Sequence, residues 1–341
     1  MKKLHKARPD SGQTSHDDQT SAAFLHGSGY VGFLILAALA ALLFLFILFE
    51  AWVLHSLGGF LVALILLGLI LALIREALHP TIKTSAAKIR DFSLIMVSHI
   101  AGAWLTFELS HTFGLGAVLA SALIGLIGGI FFPQFGAPIF CGSFVGMCSA
   151  DVYIHGYDVL LAGAFAGLVY ILGREVLNGF GGKLGTIAFA GTLLTGLGLK
   201  RQFIISPVPP FELAWHIVLY AAIAAVLTYW LSVSFKWSPV CASAAVGLAG
   251  GLLLPLLHPV SGGMLAVVVF CASFTGMSAP ERLPGISLMV MAGLFTGIIF
   301  LYSMPIFGGA GGKLGTIAFG SSLAVWGYRQ TFLDQTGKSA R

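Results

Sequence analysis

The sequence predicts an all-α fold: a polytopic transmembrane helical bundle of about 10–12 spans, with an internal duplication after an N-terminal two-helix hairpin. Three observations predict it. The first is composition. Of 341 residues, 57% are hydrophobic and only 9% charged, against about 25% charged in soluble domains. Mean hydropathy is +0.95. A soluble fold of this size cannot bury so much apolar surface, so lipid is the expected solvent. The second is the succession of apolar runs, and the third is a repeat.

The runs are 30–49, 56–74, 92–112, 115–132, 135–150, 157–173, 183–199, 213–232, 239–256, 260–277, 287–303 and 313–327. Most approach the ~20 residues that cross a bilayer. The shorter 135–150 and 313–327 are candidate half-helices. Residues 1–28 are polar and are expected to form a disordered tail. Their Lys2, Lys3, Lys6 and Arg8 hold that tail in the cytoplasm. Residues 29–90 form a transmembrane hairpin and a basic linker carrying Arg75, Lys83, Lys88 and Arg90. The hairpin is expected to stand apart from the rest of the bundle. Repeat one is 91–201, repeat two is 202–330, and 331–341 is a C-terminal tail.

The repeat rests on identities. Gly181-Gly-Lys-Leu-Gly-Thr-Ile-Ala-Phe189 recurs unchanged as 311–319, and Cys141-Gly-Ser-Phe-Val-Gly-Met147 recurs as Cys271-Ala-Ser-Phe-Thr-Gly-Met277, both 130 residues on. A third match, 125–133 with 247–255, needs an eight-residue shift. A long identity and a second motif at one offset mark a duplication. Each copy holds five runs. If all five cross, the second copy enters from the opposite face and the repeats are inverted, 5+5. Twelve crossings from a cytoplasmic N-terminus place only Lys200, Arg201 and Lys313 outside. Two parallel repeats with 135–150 and 260–277 re-entrant place Arg174, Lys183, Lys236 and Lys313 outside. The positive-inside rule barely separates these; the lengths of the disputed segments favour inversion.

The Gly-Gly-Lys motif opens an apolar run in both halves. Glycines allow close backbone approach, and a helix N-terminus presents unpaired N–H groups and positive potential. Gly181, Gly182, Lys183 and Thr186, with Gly311, Gly312, Lys313 and Thr316, are therefore candidates for a solute pathway. A paired positive site favours an anion or a polar neutral solute. The alternative is that each Lys snorkels at a helix end and each Gly serves packing. This is no nucleotide-binding loop, because Leu follows the Lys, and Leu177 and Phe307 occupy the first glycine position. Ser143 and Ser273 could line the same pathway or pack helices. Gly163…Gly167 and Gly293…Gly297 have small-residue packing spacing.

Glu108 and His111 share one face of the run 92–112 and are candidates for a proton-linked pair; solvation at the outer end is the simpler alternative. His99 lies on the opposite face. No metal-ligand spacing occurs around Cys141, Cys148, Cys241 or Cys271, and neither metal nor cofactor is expected. Trp104, Trp215, Trp230, Trp237 and Trp326 fall near run ends, as in an interfacial belt.

The expected function is a multi-pass transporter or channel for a small solute, in an inner or plasma membrane, with a central pathway between the repeats. A structural or assembly subunit ranks second. An intramembrane enzyme ranks last, since no nucleophile motif, paired aspartates or metal cluster is present. Expected partners are the lipid bilayer, the solute and a further copy of the chain in a homo-oligomer; nucleic acid is excluded. The plan is similar to that of five-plus-five duplicated channels and carriers such as urea and ammonium transporters, without their signature residues.

Overall fold

The computed structural model describes residues 13–79 and 89–333. Among these, twelve α-helices make up the fold and no strand occurs; one isolated bridge joins Ile204 and Gly308. The helices follow the apolar runs: α1 Gln13–Leu54, α2 Ser56–Leu78, α3 Ile89–His111, α4 Ala117–Phe131, α5 Gly136–Gly146, α6 Gly156–Gly173, α7 Lys183–Gly198, α8 Phe211–Ser234, α9 Pro239–Leu257, α10 Gly262–Gly276, α11 Ile286–Ser303 and α12 Lys313–Tyr328. A π-helical turn, Arg329–Leu333, ends the chain's described part. Seven helices (α1, α2, α3, α6, α8, α9, α11) are long and apolar enough to cross a membrane. The protein is a helical, multi-pass membrane protein on that ground. At 1.5 Å per residue, the eleven residues of α5 reach only about 16 Å.

Two expectations need correction. The polar stretch 13–28 is helical, continuing α1. Once the apolar part of α1 is held, each added residue brings its own hydrogen bond without a new nucleation cost. Residues 1–12, 80–88 and 334–341, with Lys83 and Lys88, lie outside the described residues. The hairpin also does not stand apart. It lies across both halves, touching α6, α7, α11 and α12. Phe44 fills the space left by Gly320, and the backbone of Gly68 meets Gly327 so closely that a Cβ on Gly327 would lie 2.1 Å from the Gly68 oxygen.

Within each half the same helix pairs form. Gly146 lets α5 lie on Ala103 and Thr106 of α3, as Gly276 lets α10 lie on Ala225 and Thr228 of α8. Gly163 and Gly167 seat α6 on α3; Gly293 and Gly297 seat α11 on α8. Glycine thus serves close packing here, as its spacing predicts. The eight-residue shift has a structural cause. The α9–α10 hairpin is extended at its tip, with α9 continuing beyond Pro255 and Gly262 of α10 packed on Leu254.

Between halves, equivalent helices meet each other. Gly182 faces Phe319, Gly185 faces Gly315, and Phe189 faces Gly312, so α7 and α12 run antiparallel. Gly129 of α4 faces Cys241 of α9, and Leu119 faces Gly251, which is again antiparallel. A Cβ on Gly185 would lie 2.4 Å from the Gly315 Cα, and one on Gly315 would lie 2.4 Å from the Gly185 Cα. No other residue fits at this crossing.

Candidate functional site

The duplicated motif begins with a loop of unusual backbone. After α6, Leu177, Gly179 and Gly182 have φ of 53°, 82° and 82°; after α11, Phe307, Gly309 and Gly312 have 48°, 80° and 83°. Left-handed φ suits glycine and is strained for Leu and Phe, yet both loops adopt it at the same positions. Each loop turns the chain so that the Lys opening α7 or α12 points back at the end of the helix before it.

Both lysines are buried, each 8% exposed. The Lys183 ammonium donates to the carbonyls of Arg174 and Val176 and to Asn178 Oδ1, at 3.3, 2.5 and 2.8 Å. Lys313 donates to the carbonyls of Ser303 and Ile306, both at 3.0 Å. Sequence reasoning places each ammonium against its own helix dipole. The fold resolves that conflict by aiming it at carbonyls at or just beyond the C-terminal ends of α6 and α11, where the dipole is negative. Lys183 has all three N–H groups occupied, and Lys313 has two of three. No carboxylate lies within 4 Å of either among the described residues; the ion pairs there are Arg174–Glu175, Arg201–Asp158 and Arg282–Glu76.

Each Lys lines a cavity. One, of about 250 Å³, is bounded by Met147, Phe274, Phe300, Gly308 and the segment Gly311–Lys313. The other, of about 240 Å³, is bounded by Met277, Tyr170, Asn178, Gly182 and Lys183. Their walls correspond at the 130-residue offset of the recurring motifs, with Tyr170 where the first has Phe300 and Asn178 where it has Gly308. Phe144 lines both. It belongs to a four-ring cluster at the contact of α5 with α10. Phe144 lies 4.5 Å from Phe274, Phe140 lies 4.3 Å from Phe144, and Phe270 lies 4.6 Å from Phe274, between ring centroids. All four rings are buried.

Comparison of the chain with known protein families, curated proteins and solved structures finds no match. The site therefore rests on its own geometry.

Of the residues singled out from sequence, Gly182, Lys183, Gly311, Gly312 and Lys313 line the cavities. Gly181 packs on the Phe274 carbonyl, and its N–H donates to Ser278 Oγ at 3.0 Å. Thr186 and Thr316 are buried and turn their hydroxyls back to the carbonyls of Gly182 and Gly312. Ser143 pairs with Ser121 at 2.9 Å and Ser273 with Ser243 at 2.8 Å, joining α5 to α4 and α10 to α9. The two serine pairs serve helix contacts, while each threonine bonds the start of its own helix. Glu108 accepts from Thr112 Oγ1 at 2.6 Å, and exposed His111 bonds the Cys148 carbonyl at 3.0 Å; both sit at the end of α3, on neither cavity wall. Cys141 and Cys271 donate to the carbonyls of Leu184 and Leu314, and all four cysteines are free.

Sequence reasoning missed three features. Phe144 and Phe274 sit inside the duplicated seven-residue motif, so their signal was present. Asn178 and Tyr170 differ between the copies and carry no repeat signal. The third is Arg282. Its guanidinium makes a two-fold contact with Glu76 at 3.1 and 3.1 Å, donates to the Asn178 carbonyl at 2.9 Å, and lies over Phe180 and Trp326. Trp326 is buried by this contact and so takes no part in an interfacial belt. Trp104, Trp215, Trp230 and Trp237 are exposed, as a belt requires.

Proposed function

We propose that this protein is an integral membrane channel or carrier for a small solute, an anion or a polar neutral molecule, with its pathway between two inverted repeats. One observation carries the proposal. Two cavities with corresponding walls, each holding a buried lysine without a carboxylate, approach each other through a single shared residue, Phe144.

Inversion is supported by the antiparallel packing of α7 with α12 and of α4 with α9. Equivalent helices that cross antiparallel are related by an axis perpendicular to their length. For helices that span a bilayer, such an axis lies in the membrane plane. The polar contacts fit twelve alternating crossings. Glu76–Arg282 joins two predicted cytoplasmic ends, while Asp158–Arg201 joins two outer ends. The Lys313 cavity then opens toward the outside and the Lys183 cavity toward the cytoplasm, with the phenyl cluster between them. The N-terminus is cytoplasmic in this arrangement.

A structural or assembly subunit is the second reading. It is favoured by the saturated hydrogen bonding of Lys183, which a staple would also show. Solute flux in liposomes separates the two. Lys313→Met and Lys183→Met, checked for monodispersity, should each reduce flux of the conducted solute. Normal flux in both variants would make the lysines staples alone and remove the basis for the pathway.

A further inference from the structure

The chemistry of the two cavities narrows the solute, given that they form a pathway as proposed above. We infer that the solute is a monovalent, weakly hydrated anion, and that the phenyl cluster of α5 and α10 is the barrier that selects it.

The sign of the charge comes from the lysines. Each cavity contains one buried ammonium, and each ammonium is met by carbonyl dipoles instead of a carboxylate. Dipoles satisfy the N–H groups but leave the net charge uncancelled. An ammonium held only by dipoles in a low-dielectric site is opposed by a nearby cation and stabilised by an entering anion. Lys313 has an N–H left over for such a ligand. Arg174 on the wall of the inner cavity is paired with Glu175 at 3.5 Å, so the net charge there is that of Lys183.

The valence comes from number. The outer cavity holds one cationic side chain, Lys313. The cost of stripping water from an ion rises with the square of its charge. One ammonium can compensate one charge, so a sulfate or hydrogen phosphate dianion would enter with half its charge unmet.

The hydration class comes from the cluster. Phe140, Phe144, Phe270 and Phe274 are each at most 2% exposed and offer no hydrogen-bond donor. An ion passing between them sheds its water and finds only ring edges, whose electropositive hydrogens face an anion favourably. Apolar constrictions of this kind gate by excluding water. Ions that hold water weakly, such as thiocyanate, iodide and nitrate, lose least at that step.

The test is flux in liposomes containing the full chain, with thiocyanate, iodide, nitrate, chloride, sulfate and phosphate as the anionic probes and urea and glycerol as the neutral ones. Wild type should pass thiocyanate and iodide faster than sulfate by about tenfold or more. Phe144→Ala, which opens the cluster, should admit sulfate and lower that ratio; Phe144→Leu, which keeps it filled, should still hold sulfate back. Sulfate or phosphate moving as fast as thiocyanate through wild type overturns the inference, as does a ratio unchanged by Phe144→Ala in folded protein. Flux of neutral solutes without any anion overturns the inference and leaves transport standing. No flux of any probe, charged or neutral, removes transport itself.

Discussion

The Glu76–Arg282 pair ties the N-terminal hairpin to the loop between α10 and α11, which in turn holds the Asn178 carbonyl beside the inner cavity, and its removal has calculable consequences. The carboxylate is 3% exposed and the guanidinium side chain 11% exposed, and both terminal nitrogens of Arg282 reach it. Breaking such a buried pair by removing one partner costs about 3–5 kcal/mol. The two single variants should differ. In Glu76→Leu the guanidinium keeps the Asn178 carbonyl and the faces of Phe180 and Trp326, 4.4 and 5.2 Å away, with ring contacts of about 0.5–2 kcal/mol each. The loss should therefore fall near 3 kcal/mol. Arg282→Met abandons the ring contacts, the Asn178 carbonyl and a buried carboxylate together, and should cost about 5 kcal/mol. The double variant Glu76→Leu/Arg282→Met should be less destabilised than the sum, with a coupling of about 2–3 kcal/mol. Reversible denaturant unfolding of the purified chain in detergent measures all four corners. Additivity within about 0.5 kcal/mol would refute the pair as an energetic unit.

Other contacts give further expected outcomes. Gly185→Ala or Gly315→Ala forces a Cβ to 2.4 Å from the facing Cα, and each should destabilise by about 1–3 kcal/mol or more, read as a lower midpoint of unfolding. Lys183→Met takes the ammonium from three acceptors and Lys313→Met from two, and of those two the Ser303 carbonyl keeps the Ile306 N–H at 3.1 Å. At about 1–3 kcal/mol per abandoned buried group, the first should be the less stable in thermal unfolding; the reverse order would contradict the hydrogen-bond assignment. Arg201→Ala strands the fully buried Asp158 carboxylate, which it meets at 2.6 Å, and should cost about 3–5 kcal/mol. Glu108→Gln and His111→Ala lie off both cavities, so the pH profile of flux should not change. A shifted profile would support the proton-linked role that the sequence spacing suggests.

The helices were legible because hydrophobic runs and glycine punctuation determine them locally: each of the twelve runs became one helix. The recurring motifs were legible because identity at one offset needs no coordinates. The lysines were only half legible. Their place at the start of a helix follows from the motif, but their burial does not, and the acceptors that hold them come from loops folded back in space. Positions that differ between the copies, such as Asn178 against Gly308 and Tyr170 against Phe300, carry no repeat signal, although they distinguish one cavity from the other. Arg282 finds Glu76 across 206 residues, a separation at which no spacing rule operates. The hairpin was misjudged for a similar reason. Its apolar faces read equally well against lipid or protein, and what marks where it docks are small residues such as Gly320 and Gly327, which receive Phe44 and the α2 backbone, and Gly32, which meets the Leu172 carbonyl of α6.

Sidedness at the two equivalent methionines is the most direct test of the central claim. Met147 lines the Lys313 cavity and Met277 the Lys183 cavity. In sealed vesicles of known orientation, with the partly exposed Cys241 replaced by Ser, Met147→Cys should react with a membrane-impermeant thiol reagent from the outside only. Met277→Cys should react from the cytoplasmic side only, and the conducted solute should protect both. Reaction of both positions from the same side, or of neither from any side, would contradict two opposed vestibules meeting at Phe144.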